Sequence, residues 1–390
     1  MGMSGAQAPV IIIGAGIVGV SAAAFLSRAG IRVRVLEAGV PACGATGAAD
    51  GAVSVASKRP GPLMRLAREG LKLYSDLTRQ GVLEGVYRDK PTFLAASGSA
   101  EAQVLAVHAQ ALRNENVGLV WHEGEDMRRR IPVLSANATA LLEVQGEGHA
   151  AGFRVVDRMI GWGGLLVERN CHVDELAYNS AGTRIEGVRV GADILPASAV
   201  IVAAGGGGPQ LLGLGHVLRP RKGQQLVTER APELAAALPG SVISAEYLLS
   251  KGAQTGARSD RGYGVVIDLQ ANGQFLIGST REDGLTDTGN DIDAVMHMAA
   301  AAAAIVPALS RLRVLRSFAG VRTAISDGLP LLGAMPGCDN LFTATGFEGD
   351  GICLGPVVGS LIAQLVQGKT PAADLTPFDP ARLLPIGEAA

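Results

Sequence analysis

"VIIIGAGIVGVSAAAFLSRAGIRVRVLE" runs from Val10 to Glu37, and its first part, Val10 to Leu26, carries no charge. A membrane span, a secretion signal and a nucleotide-binding unit all begin with such a run. A spanning helix needs about 20 mainly apolar residues, and here Gly14, Gly16 and Gly19 interrupt them. A secretion signal places basic residues ahead of its apolar core, and MGMSGAQAP holds neither Lys nor Arg. The nucleotide reading uses every residue. Val10 to Ile13 is a short buried strand, the glycines are spaced G-x-G-x-x-G, and Ile17 to Leu26 continues as a helix ended by Gly30. Ile31 to Leu36 forms a second strand closed by Glu37. Gly14 permits the tight turn, Gly16 lets backbone approach a pyrophosphate, and Gly19 allows close helix–strand packing. The helix start, with Ile17 and Val18, then offers free N–H groups and a positive dipole end to the phosphates. Glu37 is placed to accept hydrogen bonds from a ribose hydroxyl.

A chain of 390 residues is long enough for two domains. A net charge of −2 gives no electrostatic reason to bind nucleic acid, and aromatics at 4% make a base-stacking platform an unsuitable reading. Cys43, Cys171, Cys338 and Cys353 show no C-x-x-C spacing, and the histidines show no H-E-x-x-H pattern, so no metal or iron–sulfur site is expected. The cysteines are expected as small buried or half-buried hydrophobes of a cytoplasmic protein with no transmembrane segment.

A nicotinamide-type domain would continue with strand–helix units at short intervals, and this chain does not. After Glu37 comes the Gly/Ala-rich loop "AGVPACGATGAADGAVSV", then a helical pattern over Leu63 to Thr78 and mixed short elements over 82–150. "GTRIEGVRV" and "ILPASAVIVAAGGG" read as a hairpin and a buried strand ending in glycines at Ala204 and Gly205. Residues 221–280 alternate as antiparallel strands, with Asn272–Gly273 signalling a type I′ hairpin. An Ala-rich helix covers 291–309, and "NLFTATGFEGDGICLGPVVGSLIAQLVQG" reads as strand, glycine-rich turn and helix. The fold class is therefore α/β plus antiparallel β: a Rossmann-like nucleotide domain in separate segments with a β-rich substrate domain inserted.

In this order, GAGIVG with Glu37, CGATG, VIVAAGG, GQQLVTE, GSTRE, GVRTAISDGLPLLG and GFEGDGICLGP resemble the FAD-dependent D-amino-acid-oxidase-like family over nearly the whole chain. "GQFLIGSTRE" and "EGDGI" look most like the beta subunits of opine, proline and hydroxyproline dehydrogenases and of hydrogen cyanide synthase. Glycine oxidase and monomeric sarcosine oxidase are more distant relatives. The resemblance implies a FAD-binding domain over 1–84, 146–219 and 314–390, and a substrate-binding domain over 85–145 and 220–313. It implies FAD contacts at Gly14, Gly16, Ile17, Val18, Gly19, Glu37, Ala38, Thr46, Gly47, Val173, Ala204, Gly205, Gly346, Gly349, Asp350, Gly351 and Ile352. The FAD is expected to be non-covalent, because the stretch Arg322–Asp327 lacks the cysteine by which some relatives attach it.

Two departures stand out. The segment Asp157–Val173 is shorter than the family usually has, by roughly two helical turns, beneath the adenosine half. Gly349 stands where glycine-oxidase-like members carry a substrate-binding arginine.

The chemistry implied is oxidation of a CH–NH group by hydride transfer to flavin N5, for which the protein positions the substrate. Arg322 matches the family's carboxylate-binding arginine, whose fork grips both oxygens; the plain alternative is an arginine at the surface or paired with Asp327. Tyr247 matches a carboxylate-holding tyrosine, the alternative being a core aromatic on a strand. Lys58 and Arg59 follow the loop along the flavin ring, while Lys251 and Arg281 are weaker candidates. The substrate class implied is a D-amino acid, a proline-like amino acid or an opine. Electrons would pass to a partner redox subunit or another non-oxygen acceptor, a complex that could also hold the chain at the inner face of the membrane. A self-sufficient oxidase of the glycine, D-amino acid or sarcosine type, using O2, is the alternative. A non-catalytic FAD-binding subunit is the alternative of another class.

Overall fold

The structure, a computed structural model, describes residues 8–248 and 261–383. Strands β1 (Val10–Ile13) and β2 (Val33–Leu36) pair in parallel with Ile12 opposite Val35, and β1 pairs on its other side with Ala199–Val202. They form the middle of a six-stranded sheet in the order Leu331–Ala334, Leu341–Thr345, Ala199–Val202, β1, β2, Val167–Glu168. All neighbours are parallel except the first pair. A parallel strand covered on both faces reads as an unbroken apolar run, and all four residues of β1 are buried.

Helix α1 (Ile17–Arg28) is two residues longer than expected, and Gly30 ends it at φ +80°. It is apolar all round because it lies between the sheet and the C-terminal helix Gly351–Val366. That second contact is made at backbone distance. A Cβ on Gly355 would lie 2.8 Å from Ile17 Cγ2, and one on Gly359 would lie 2.5 Å from Ser21 Cβ and 2.6 Å from the Ala22 nitrogen.

The second large sheet has eight strands in the order Val314–Ile325, Leu218–Thr228, Phe275–Asp283, Gly262–Leu269, Ser241–Ser244, Thr92–Ser97, Ala138–Val144, Leu119–His122. Its neighbours are antiparallel apart from Ser241–Ser244 beside Thr92–Ser97. The Ala-rich helix Ile292–Ile305 covers one face through Ala294, Met298, Ala302 and Ile305, and Asp291 caps it by accepting from the Ala294 N–H at 2.8 Å. The strand Val314–Ile325 pairs with Leu218–Thr228 along its length and forms the sheet's edge. Residues 314–325, which the sequence groups with the first unit, thus begin in the second sheet.

Two local expectations are corrected. The hairpin at Asn272–Gly273 exists, but its turn is not type I′. Gly273 donates to the Gln270 carbonyl, Gln270 donates to the Gln274 carbonyl, and Gly273 (φ +82°), not Asn272, has a positive φ. That is a three-residue loop with the glycine in the left-handed position, which needs only one such residue. Among the cysteines, Cys338 and Cys353 are buried and Cys171 is half-buried, but Cys43 is exposed on the Gly/Ala-rich loop. Among the described residues no helix is long and apolar enough to cross a membrane.

The helix contact sets a stability prediction. Gly359→Val should destabilise the protein by about 3 kcal/mol or more, because the new side chain meets the backbone of α1 rather than a movable side chain. Gly161→Ala, in the helix Gly152–Gly163 with nothing near its Cβ, should be neutral or slightly stabilising. Urea unfolding of both variants checks the contrast, and an unaffected Gly359→Val would show that the helices do not pack this closely.

Candidate functional site

The carboxyl ends of β1, β2 and Ala199–Val202 meet at one edge. Gly14 turns the chain there at φ +103°, and its N–H donates to the Leu36 carbonyl at 2.8 Å. A Cβ on it would lie 2.6 Å from the Ala203 oxygen, so only glycine suits the turn. Gly19 is equally closed: its Cβ would lie 2.1 Å from the Gly14 carbonyl oxygen. Gly16 differs. It is the N-cap of α1 without a side-chain cap, and the single atom within 4 Å of its Cβ position is Thr46 Oγ1, at 3.2 Å. Thr46 Oγ1 also accepts from the Ile17 N–H at 3.1 Å. Gly16 therefore faces an open cradle, with the positive end of α1 directed into it.

Glu37, at the end of β2, accepts from the Ala15 N–H at 2.7 Å through Oε2 and from the Gly39 N–H at 2.8 Å through Oε1. The Cys43 thiol also donates weakly to Oε1 at 3.8 Å, and Oε2, with its single hydrogen bond, keeps acceptor capacity. Ala38 beside it is exposed. Val173 is buried with Leu36, Ile11 and Ile13, beneath the strands. Gly47 folds the loop onto the Ala42 carbonyl, and Ala204 and Gly205 (φ +52°) end Ala199–Val202 next to Gly14. The cradle fits the diphosphate and ribose of a dinucleotide such as FAD: two closed glycines shape it, one open glycine faces it, and an acid stands at its rim.

The second glycine turn follows Leu341–Thr345. Gly346 has φ +80° and Glu348 φ +45°. Glu348 and Asp350 spend their N–H groups on the Thr323 and Phe347 carbonyls at 2.9 Å. The N–H groups of Gly351, Ile352 and Cys353 begin the C-terminal helix and have no acceptor within it. Ile352 points its side chain into the core against Gly152, and its carbonyl accepts from Tyr74 Oη at 2.8 Å. The carboxylate of Asp350, at the helix N-cap, is ion-paired with Lys58. Burial opposes charge on Lys58, but Asp350 overrides it and holds the ammonium above its ordinary range.

A third group of residues shares one face of the eight-stranded sheet. Gly223 lies opposite Gly320 across the strand pair, Arg221 opposite Arg322, and Gln225 opposite Phe318. The Arg322 guanidinium lies flat over Gly223, whose Cβ would come within 2.6 Å of Nη2. Its Nη2 donates to Ser279 Oγ and its Nη1 to the Thr280 carbonyl at 3.3 Å. Among the described residues no carboxylate lies within ion-pairing distance of it; Asp327, the alternative partner, pairs with Arg382 at 2.8 Å instead. Burial pushes the Arg322 pKa down, and neighbouring Arg281 adds to this, against Glu348 and Tyr247. Gly320 brings this face to the Gly/Ala-rich loop, since its Cβ would lie 2.3 Å from Ala48 Cβ.

Tyr247 sits in a helical turn after Ser241–Ser244, not on a strand, with its ring against Gly264 and the Arg281 guanidinium 4.5 Å above it. It is close enough to interact electrostatically with both Arg322 and Lys58. The structure thus brings Arg322, Tyr247, Arg281, Lys58 and the Gly346–Gly351 turn to one place. Arg59 is exposed, and Lys251 lies outside the described residues. Sequence reasoning missed Glu348. Burial pushes its carboxyl up, but Arg281 at 4.0 Å and Arg221 at 2.8 Å pull it down to about 2. Nothing in the sequence marks it, because its arginines come from two distant strands.

A family model described as FAD dependent oxidoreductase (DAO) matches residues 9–365. The chain is 27% identical over 387 residues to glycine oxidase of Geobacillus kaustophilus, covering 96% of each protein. It is 29% identical over 276 residues to hydrogen cyanide synthase subunit HcnC of Pseudomonas aeruginosa, covering 68% of this chain and 60% of that one. The crystal structure of the Geobacillus kaustophilus glycine oxidase superposes with a TM-score of 0.83 at 25% identity, over 96% of this chain and 98% of the other.

The open and closed glycines can be separated by substitution. Gly16→Val should leave far-ultraviolet circular dichroism intact yet lose bound flavin, because its side chain enters the cradle and little else. Gly19→Val should lose the fold itself, through the clash with the Gly14 carbonyl. Flavin content of the purified proteins, read from visible absorbance, decides: a full complement in Gly16→Val would put the pyrophosphate elsewhere.

Proposed function

The chain belongs to the DAO family of FAD dependent oxidoreductases, and from that premise we propose that it oxidises the CH–NH or CH–NH2 group of a carboxylate-bearing amine. The substrate is an amino acid, a proline-like amino acid or an opine. The observation that carries this reading is the Arg322 guanidinium, half-buried on the sheet face and, among the described residues, hydrogen-bonded to a neutral hydroxyl and a neutral carbonyl. A cation partly withdrawn from water with no described carboxylate at ion-pairing distance is costly, and a substrate carboxylate would complete it through a two-pronged contact.

FAD would be held non-covalently by Gly14 to Gly19, Glu37, Thr46 and the Gly346–Ile352 turn, and would supply the two-electron oxidation of the carbon bearing nitrogen. The chain's part is position. Gly223 and Gly320 form a floor without side chains, Arg322 lies across it, and Ser279 and Thr280 fix the plane of the guanidinium. Tyr247, stacked under Arg281, closes one side. Arg322→Ala should leave FAD content unchanged and lower kcat/KM at least tenfold, from loss of a charge-assisted pair worth about 1.5–3 kcal/mol. Arg322→Lys should recover only part of this, since an ammonium lacks the planar fork. Undiminished kcat/KM in Arg322→Ala, with a substrate whose carboxylate is required, removes Arg322 from the site.

The electrons pass on to a partner redox protein or another non-oxygen acceptor. The support is the likeness to HcnC, named as a subunit, together with cysteines scattered too widely to carry a relay centre in this chain. A self-sufficient oxidase is the second reading, favoured by the glycine oxidase match over 96% of both chains. Stopped-flow reoxidation of the substrate-reduced protein separates them. A dye acceptor should reoxidise the flavin much faster than air-saturated buffer; reoxidation by oxygen at the rate of turnover would establish the oxidase. Failure of every amino acid and opine to bleach the flavin anaerobically would instead point to a non-catalytic subunit.

A further inference from the structure

Gln224 and Gln225 are neighbours in sequence and, on a strand, face opposite sides. Gln224 is satisfied on the side of the Ala-rich helix. Its Nε2 donates to Glu282 Oε1 at 2.8 Å and Asp291 Oδ2 at 3.0 Å, and its Oε1 accepts from the Asp291 N–H at 3.0 Å. Gln225 faces the other way, on the side of Arg322, and is 4% exposed. Its Nε2 donates to the Ala48 carbonyl at 3.3 Å, while its Oε1, equally buried, has no hydrogen-bond partner among the described residues. Exchanging the two ends of the amide would set two carbonyl oxygens against each other, so the orientation is fixed by Ala48. Buried acceptors are almost always paired. This one lies on the Arg322 side of the sheet, shut off from solvent by the protein as it stands, and lacks a donor.

Its position says which donor. The Arg322 guanidinium lies over Gly223, two residues before Gln225 on the same face, a separation of about 7 Å along a strand. An α-amino acid, with nitrogen two bonds from its carboxylate carbon and a hydrogen bond of about 2.9 Å at each end, spans that gap. We propose that Gln225 binds the substrate nitrogen, its Oε1 accepting an N–H while Arg322 holds the carboxylate. The inference rests on the carboxylate reading of Arg322 and adds a specificity to it. Primary and secondary amines, which carry an N–H when neutral, are accepted, and a neutral tertiary amine leaves Oε1 unpaired and is disfavoured. A carboxamide stays neutral at any pH, so it orients the amine without holding it in the ammonium form, as a carboxylate there would.

The test uses two flat, unreactive acids of nearly the same shape, pyrrole-2-carboxylate, which carries an N–H, and furan-2-carboxylate, which does not. Binding to the FAD-loaded protein is measured by calorimetry, independently of turnover. Wild type should prefer the pyrrole acid about tenfold. Gln225→Met, similar in length but without the acceptor, should bring the two acids within about twofold at unchanged FAD content, whereas Arg322→Ala should weaken both together. If both acids bind wild type equally, or Gln225→Met keeps the preference, Gln225 does not hold the nitrogen and the Arg322 reading stands untouched. If neither acid binds wild type, the carboxylate reading fails and this assignment goes with it. Should Gln225→Met not hold FAD, wild type with N-methylpyrrole-2-carboxylate decides: it should bind no better than the furan acid, and binding equal to the pyrrole acid overturns the proposal.

Discussion

The backbone contact between α1 and the C-terminal helix is the constraint from which the site follows. Gly355 and Gly359 let that helix press on Ile17, Ser21 and Ala22 at distances no side chain could share. Gly70 of the helix Pro62–Arg79 does the same against the Cys353 carbonyl, where a Cβ would lie 2.4 Å away. Dispersion contacts of this density are individually small and collectively large. Their consequence is positional: the first turns of α1 and of the C-terminal helix open on the same edge of the parallel sheet. One contributes the cradle at Gly14–Gly19 and the other the turn at Gly346–Gly351, so a long cofactor can lie with a helix start near each end.

Glycines do a second, different job on the eight-stranded sheet. Gly223 and Gly320 sit opposite each other and remove two side chains from the middle of a strand pair. Interior strand glycines weaken a sheet and often mark a close approach, and here each admits a side chain. Ala48 comes down on Gly320, and the Arg322 guanidinium lies across Gly223. The glycine pair beneath Arg322 and Ala48 is thus a local sacrifice of sheet stability. The Ala-rich helix and the network of Gln224, Thr280, Glu282, Asp291 and Arg261 on the opposite face offset it.

The nucleotide half was legible from the chain because its signals are local. A buried strand, three glycines at fixed spacing, an apolar helix and a terminal acid all fall within Val10–Glu37, and β1, α1 and β2 appear within two residues of those bounds. The eight-stranded sheet and the residues gathered on its face were legible only in part. Arg322 came from a motif resemblance, but Glu348 and Gln225 depend on register between strands far apart in sequence, which periodicity cannot supply. Period-two alternation makes one of Gln224 and Gln225 face the site without saying which. The hairpin at Gln270–Gln274 shows the same limit at short range, since Asn-Gly fits more than one turn type and the ladder on either side selects it.

The departure at Gly349 gains meaning from its neighbours. The turn presents no side chain at Gly349, and Glu348 occupies the adjoining position with Arg221 and Arg281 drawn against it. Those two arginines are committed: Arg221 also pairs with Asp283, and Arg281 lies over Tyr247. Arg322, on the sheet side, has neutral hydrogen-bond partners among the described residues. On the proposed reading, a carboxylate would be gripped from the sheet side alone, with the charges at the turn already paired among themselves.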